Sequence, residues 1–178
     1  GIDHEWHEVD IMKGATRSDE FLAMNPNGKV PLAVLADGRC LPESNAILCY
    51  LADGSDLAGG GRYERANILQ WMFFEQYSHE PNIATSRFII QYLGNPPNKQ
   101  AALKEKSAGG YKALDVMEQQ LLQHNFISGE KFNIADIALF AYTHVAEEGG
   151  FDLGRYPAIR DWIDRIKARP NFVVMGAR

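Results

Sequence analysis

Between Asn25 and Ser44 the chain reads NPNGKVPLAVLADGRCLPES, and no other stretch leaves it fewer ways to fold. Two short apolar runs, Val30 to Ala36 and Arg39 to Pro42, flank Asp37-Gly38. Asp-Gly is a strong hairpin signal, because a type I′ turn holds both central residues at positive φ and these two tolerate it at low cost. The pattern predicts two antiparallel strands joined by a two-residue turn. At the entrance Asn25-Pro26-Asn27-Gly28 is turn-forming. Lys29-Val30-Pro31 follows at the strand edge, where a proline belongs to a strand start or to a special peptide bond. At the exit Glu43-Ser44 precedes the helical apolar pattern Ala46, Ile47, Tyr50, Leu51. Ser44 is a candidate N-cap, and the N–H groups behind it suit a carboxylate or phosphate. Residue by residue, the same features occur at any strand-to-helix junction; their order is the specific part.

Taken together, N-P-x-G-K-V-P, a hairpin, then E-S and an apolar helix resemble the glutathione-binding half of the cytosolic glutathione transferases, in particular their bacterial and theta-like branches. The resemblance implies a cis Val30-Pro31 bond, with Val30 and Pro31 offering main chain to the cysteinyl part of glutathione. It also implies that Glu43 meets the α-amino group and that Ser44, with its helix N-terminus, meets the α-carboxylate. A zwitterionic head needs an anion and an anion-binding site a few ångströms apart, and adjacent residues at a helix start supply both. Lys29 is placed to attract the glycyl carboxylate.

Composition narrows the partners. The 178 residues allow one domain or two small ones, 46% are hydrophobic, and the formal charge is -5 with a pI near 5.5. Lysines and arginines are scattered rather than striped, which argues against nucleic acid, and no run of about 18 apolar residues is present to span a membrane. Cys40 and Cys49 are spaced neither as C-x-x-C nor as half of a zinc site; both read as buried, inert thiols, with no metal expected. The charged start GIDHEWHEVD lacks the apolar core of a secretory leader, so the expected compartment is the cytoplasm.

His4 to Ile11, rich in Trp, Val and Ile but charged, reads as an edge strand. On a strand His4 and His7 point to opposite faces and cannot share a metal. Thr16 to Met24 reads as a short helix with Thr16 and Asp19 as its capping box and Asn25-Pro26 as its end. Strand, helix, strand, strand, helix is the order of the family's thioredoxin-like domain from its second strand onward. In the resembled family the first strand lies between the segments placed here at His4 to Ile11 and Val30 to Ala36. Losing it would leave buried polar groups unpaired at about 1 to 3 kcal/mol apiece. The expectation is that the sequence begins inside a longer protein, with the family's thiol-activating Tyr, Ser or Cys upstream of Gly1. The catalytic residue is therefore unassigned.

Ala52 to Gly61, ADGSDLAGGG, is a polar Gly-rich joint without the G-x-x-x-x-G-K-[ST] of a phosphate loop. It separates a thioredoxin-like α/β domain at 1–57, incomplete at its N-terminal side, from an all-α helical-bundle domain at 62–178. Arg62 to about Gly94 reads as one long helix with Ala66, Leu69, Phe73 and Tyr77 on one apolar face and Ile68, Trp71 and Met72 on another. Such a helix is buried twice; in the resembled family the second burial is against a sister subunit and the substrate cleft. Pro81 removes a donor and is expected to kink it. Glu75, Tyr77, His79, Glu80 and Arg87 read as a solvated or interfacial middle. Lys99 to Gln123 is a core helix in which Gly109-Gly110 permits close packing. In Phe126 to Tyr142, Asn133 is the N-cap, Asp136 its capping-box partner, and Phe132 with Ile137 a hydrophobic staple. The resembled family carries this capping motif in its helical domain, and such an Asp is structural. Pro157 opens a last helix with Ile159, Trp162, Ile163 and Ile166 inward.

Two functions fit. One is a glutathione transferase, with glutathione as co-substrate, a small electrophile as second substrate, and a homodimer as the working form. The other is a non-catalytic, transferase-like binding or assembly module. The zwitterion clamp at Glu43-Ser44 favours the first. The residues read out neither the electrophile nor the choice among conjugation, peroxide reduction and isomerisation.

Overall fold

The computed structural model describes residues 2–174, and the chain sorts into two units, residues 1–53 and 54–178. The break falls inside the Gly-rich joint, so the 3-10 turn Asp56–Ala58 goes with the second unit.

In the first unit a 3-10 turn, Ala15–Arg17, leads into helix α1, Asp19–Met24. The cap of α1 is Ser18, whose Oγ accepts the Phe21 N–H at 3.2 Å, and not Thr16, which is buried. The 3-10 turn uses Thr16 as its own middle residue, and Ser18 is the first position after it with extended backbone and an acceptor side chain. Asn25 ends α1 by returning its N–H to Phe21 O at 2.8 Å.

Strands β1, Leu32–Val34, and β2, Cys40–Pro42, pair antiparallel in the register Leu32↔Pro42, Ala33↔Leu41, Val34↔Cys40. The hairpin lies where the apolar runs put it, but its turn is different. Leu35 N–H donates to Arg39 O and Gly38 N–H to Leu35 O, both at 2.8 Å. Gly38 sits at φ +85 while Asp37 does not adopt positive φ. This is a three-residue loop, a type I turn closed by a left-handed glycine, rather than a two-residue type I′ turn. In this geometry the Asp37 carboxylate accepts the Arg39 N–H at 3.1 Å and pairs with its guanidinium at 2.7 Å. Helix α2, Ser44–Ala52, packs on the hairpin.

The edge strand expected at His4 to Ile11 does not form; residues 2–10 carry no regular structure. An extended segment becomes a strand only beside a neighbour that takes its N–H and C=O groups, and the sheet of the described residues consists of β1 and β2. His4 Nδ1 instead lies 2.9 Å from the Ile2 carbonyl, and His7 pairs with Glu5 at 3.2 Å on the surface.

The second unit is helical. Helix α3, Arg62–Phe74, continues through a π turn, Glu75–His79, into α4, Glu80–Arg87, and a second π turn, Phe88–Tyr92. Helices α5, Gln100–Leu121, α6, Ile134–Thr143, and α7, Pro157–Lys167, complete the bundle. The disturbance expected at Pro81 thus appears just ahead of it as a π turn, which accommodates a residue with no N–H and a ring that would crowd the carbonyl of the preceding turn. The Ser78 carbonyl accepts from Asn82 Nδ2 and the Pro81 carbonyl from Lys106 Nζ on α5, both at 2.7 Å, so main-chain acceptors beside the break are paired.

Around α5 the core is apolar: Ile83, Leu114, Met117, Leu139, Ile159 and Trp162 are fully buried. Gly109 and Gly110 admit the neighbours closely. A Cβ on Gly109 would come 2.5 Å from the Asn82 amide, and one on Gly110 would overlap the Phe151 ring. The polar middle of the long helix is split rather than uniformly solvated. Tyr77 is 88% exposed, but Glu75 and His79 are 3% and 0% exposed. These two continue the Ile68–Met72 stripe at i+7 and i+11, a phase that puts them on the core face whatever their polarity.

Candidate functional site

Two turns of the first unit converge at the open end of the hairpin. The ladder ends at the Leu32↔Pro42 pair, so the chain enters the hairpin through Pro31 and leaves it through Glu43 at the same end. The Val30-Pro31 bond is cis. The entrance turn is wound on the buried Asn25 side chain, which donates from Nδ2 to Lys29 O at 2.7 Å and accepts the Asn27 N–H at 3.1 Å. Gly28 N–H returns to Asn25 O at 2.9 Å. Lys29 and Val30 leave this turn exposed, just ahead of the ladder.

At the exit, Glu43 adopts φ +73 and ψ 116. A residue with a Cβ is strained there, and such strain persists only where its surroundings enforce it. Helix α2 begins with Glu43 O accepting the Ile47 N–H at 3.0 Å. Ser44 is therefore the first helical residue and not the N-cap its sequence position suggested. The Glu43 side chain makes no capping hydrogen bond, and the first turn holds no acidic residue. A helix start of this kind presents N–H groups and the positive end of its dipole to an anion.

The structure adds Arg17 to the residues legible in sequence. Its Nη1 donates to Asn27 O at 3.4 Å, and the guanidinium lies over Gly28 so closely that a Cβ there would come 2.5 Å from Nη1. Gly28 also holds φ +62. The sequence signal for this contact is the glycine: a backbone position that tolerates neither a Cβ nor negative φ is one against which another group packs. Arg17 and Lys29 thus flank one turn with two positive charges.

Cys40 and Cys49 are free and only half-buried, not buried as their apolar settings suggested, and the partial burial pushes the Cys49 thiol up. Among the described residues no group of three His, Cys, Asp or Glu side chains is placed to hold a metal. In the second unit Asn133 Oδ1 accepts the Ala135 N–H at 3.0 Å, and Asp136 Oδ2 accepts the Asn133 N–H at 3.0 Å, closing the start of α6. Along α3 and the π turn after it, Leu69, Phe73 and Tyr77 are 39%, 69% and 88% exposed, and a groove of about 410 Å³ is lined by Arg62, Arg65, Ala66 and Leu69.

Residues 1–53 match the glutathione S-transferase N-terminal domain and residues 72–170 the C-terminal domain. A glutathione S-transferase crystal structure from Pseudomonas fluorescens superposes with a TM-score of 0.97 at 53% identity, covering 99% of this chain and 88% of that one. Glutathione S-transferase F10 of Arabidopsis thaliana is 30% identical over 100% of this chain and 87% of its own length. A glutathione transferase family member from Pseudomonas fluorescens, solved with two glutathione molecules bound, is 27% identical with a TM-score of 0.80, covering 95% of this chain and 79% of that one. The thioredoxin-like first unit with its turn-bounded helix start, the capped helical second unit and these matches have one common source: the chain belongs to the glutathione S-transferase family.

Proposed function

We propose that the first unit holds glutathione in an extended pose and that the protein reacts its thiol with small electrophiles. The observation that supports this is the hairpin register, whose last pair, Leu32↔Pro42, brings the Val30-Pro31 entrance and the Glu43-Ser44 exit to one end of the hairpin. Val30 main chain, turned by the cis bond to Pro31, pairs with the cysteinyl peptide. The Glu43 carboxylate meets the α-amino group, and the Ser44 hydroxyl with the first amides of α2 meets the α-carboxylate. Lys29, joined by Arg17, draws the glycyl carboxylate. In conjugation the thiolate forms a C–S bond at the electrophilic carbon, the leaving group departs with its electron pair, and the thiol proton passes to solvent. No residue of this chain is assigned to activating the thiol.

The exposed stripe Leu69, Phe73, Tyr77 supports a homodimer as the working form, since a contiguous apolar face on a helix favours a partner. No helix of the described residues is long and apolar enough to cross a membrane, and the proposed compartment is the cytoplasm. Retention on immobilised glutathione, followed by turnover of a chlorinated nitroaromatic, tests the reading. A protein that does neither is the binding or assembly module instead.

A further inference from the structure

Two buried side-chain atoms of the second unit, His79 Nδ1 and Ser86 Oγ, have no hydrogen-bond partner among the described residues, and the chemistry of the first can be worked out from its neighbours. His79 is fully buried at the end of the first π turn. Thr143 Oγ1 donates its single hydroxyl proton to Leu139 O at 2.6 Å, so toward His79 Nε2, 2.8 Å away, it can only accept. The imidazole proton is therefore on Nε2, and Nδ1 carries a bare lone pair. Nδ1 has no hydrogen-bond partner among the described residues. Burial holds the ring neutral, with its pKa lowered to about 3, so Nδ1 does not acquire a proton of its own near neutral pH.

The buried Ser86 hydroxyl also lacks a partner, but it can rotate onto a carbonyl of its own helix. The imidazole lone pair cannot be redirected without breaking the bond to Thr143. A buried acceptor of this kind calls for a donor, and water is the donor that buried polar groups without a protein partner commonly hold.

We propose that His79 Nδ1 anchors a single-water site inside the helical unit, the water donating one proton to Nδ1 and the other to a main-chain carbonyl of the same π turn. Carbonyl oxygens have a second lone pair, so the turn supplies acceptors without giving up its own bonds. The site uses none of the residues assigned to glutathione, and it makes the π turn a hydrated feature of an interior that also buries Glu75 and Thr143.

A crystal structure of the whole chain at high resolution, together with long-range 1H–15N spectra at pH 7, tests this. The expected result is an Nε2–H tautomer, an Nδ1 resonance displaced from that of an unbonded pyridine-type nitrogen, and one density peak within hydrogen-bonding distance of Nδ1. An Nδ1–H tautomer, an unbonded Nδ1 resonance, or an absent peak each overturns it. In a folded His79→Phe protein the peak is lost; its persistence counts against the proposal. Where that variant does not fold, the wild-type measurements decide alone.

Discussion

The indole Nε1–H of Trp162 donates to Asp136 Oδ1 at 2.9 Å, tying helix α7 to the capped start of α6. The same oxygen takes the Ile127 N–H at 2.8 Å, while Oδ2 takes the Asn133 N–H at 3.0 Å. Asp136 is thus one side of the capping box and also the junction of three segments.

A capping contact alone is worth about 1 kcal/mol. Because three donors would be stranded in a buried site, Asp136→Ala is expected to cost about 3 kcal/mol. Urea unfolding measures it, and glutathione affinity per folded molecule should stay unchanged. Loss of binding without loss of stability would contradict a structural role.

Stability should respond to acid through two buried groups of opposite sign. The His79 pKa is lowered from 6.5 to about 3, so the unfolded chain takes up a proton that the folded one refuses, and stability falls as pH drops from 6.5 toward 3. Burial pushes the Asp136 carboxyl up to about 6 against its hydrogen bonds, so the folded chain takes up a proton first between pH 6 and 3.8, and stability rises over that window as pH falls. The two contributions largely offset between pH 6 and 4. Between pH 4 and 3 the His79 loss continues without the Asp136 offset, at about 1.4 kcal/mol per pH unit. Urea unfolding across this range should show the break in slope, and a Thr143-preserving His79→Phe protein should lack the acid limb.

Gly110→Ala sets helix propensity against packing. Alanine improves an isolated helix by about 1 kcal/mol, but its Cβ would overlap the Phe151 ring, and overpacking costs about 1 to 3 kcal/mol. The expected net result is a lower melting temperature; a rise would mean that Phe151 can move aside.

At the proposed glutathione site, Arg17→Ala and Lys29→Ala should each weaken binding about 3-fold, the range of exposed ion pairs, with the effect shrinking at high salt. Neither variant should matter for glutathione esterified at its glycine. Ser44→Ala removes a hydrogen bond to a charged group and should cost about tenfold in affinity, with and without the ester. Calorimetric titration distinguishes the two patterns.

Features set by neighbours in sequence were legible from the chain alone. Asp37-Gly38 located the hairpin, Asn133 with Asp136 located the start of α6, and Pro157 with Ile159, Trp162, Ile163 and Ile166 located α7 and its buried face. Each depends on backbone preferences or helical phase within a few residues. Even the burial of Glu75 and His79 was present in the phase of Ile68 and Met72, masked by their polarity.

Tertiary structure decided what depends on partners far along the chain. His4 to Ile11 had strand composition but no ladder to join, and Ser18 displaced Thr16 as a cap once the 3-10 turn formed. Arg17 reached the Gly28 turn, Lys106 reached the Pro81 carbonyl and Trp162 reached Asp136. Hydrogen bonding and close packing act over a few ångströms in space. Sequence fixes such contacts only where that space is spanned by a single turn, and elsewhere the fold must first bring the groups together.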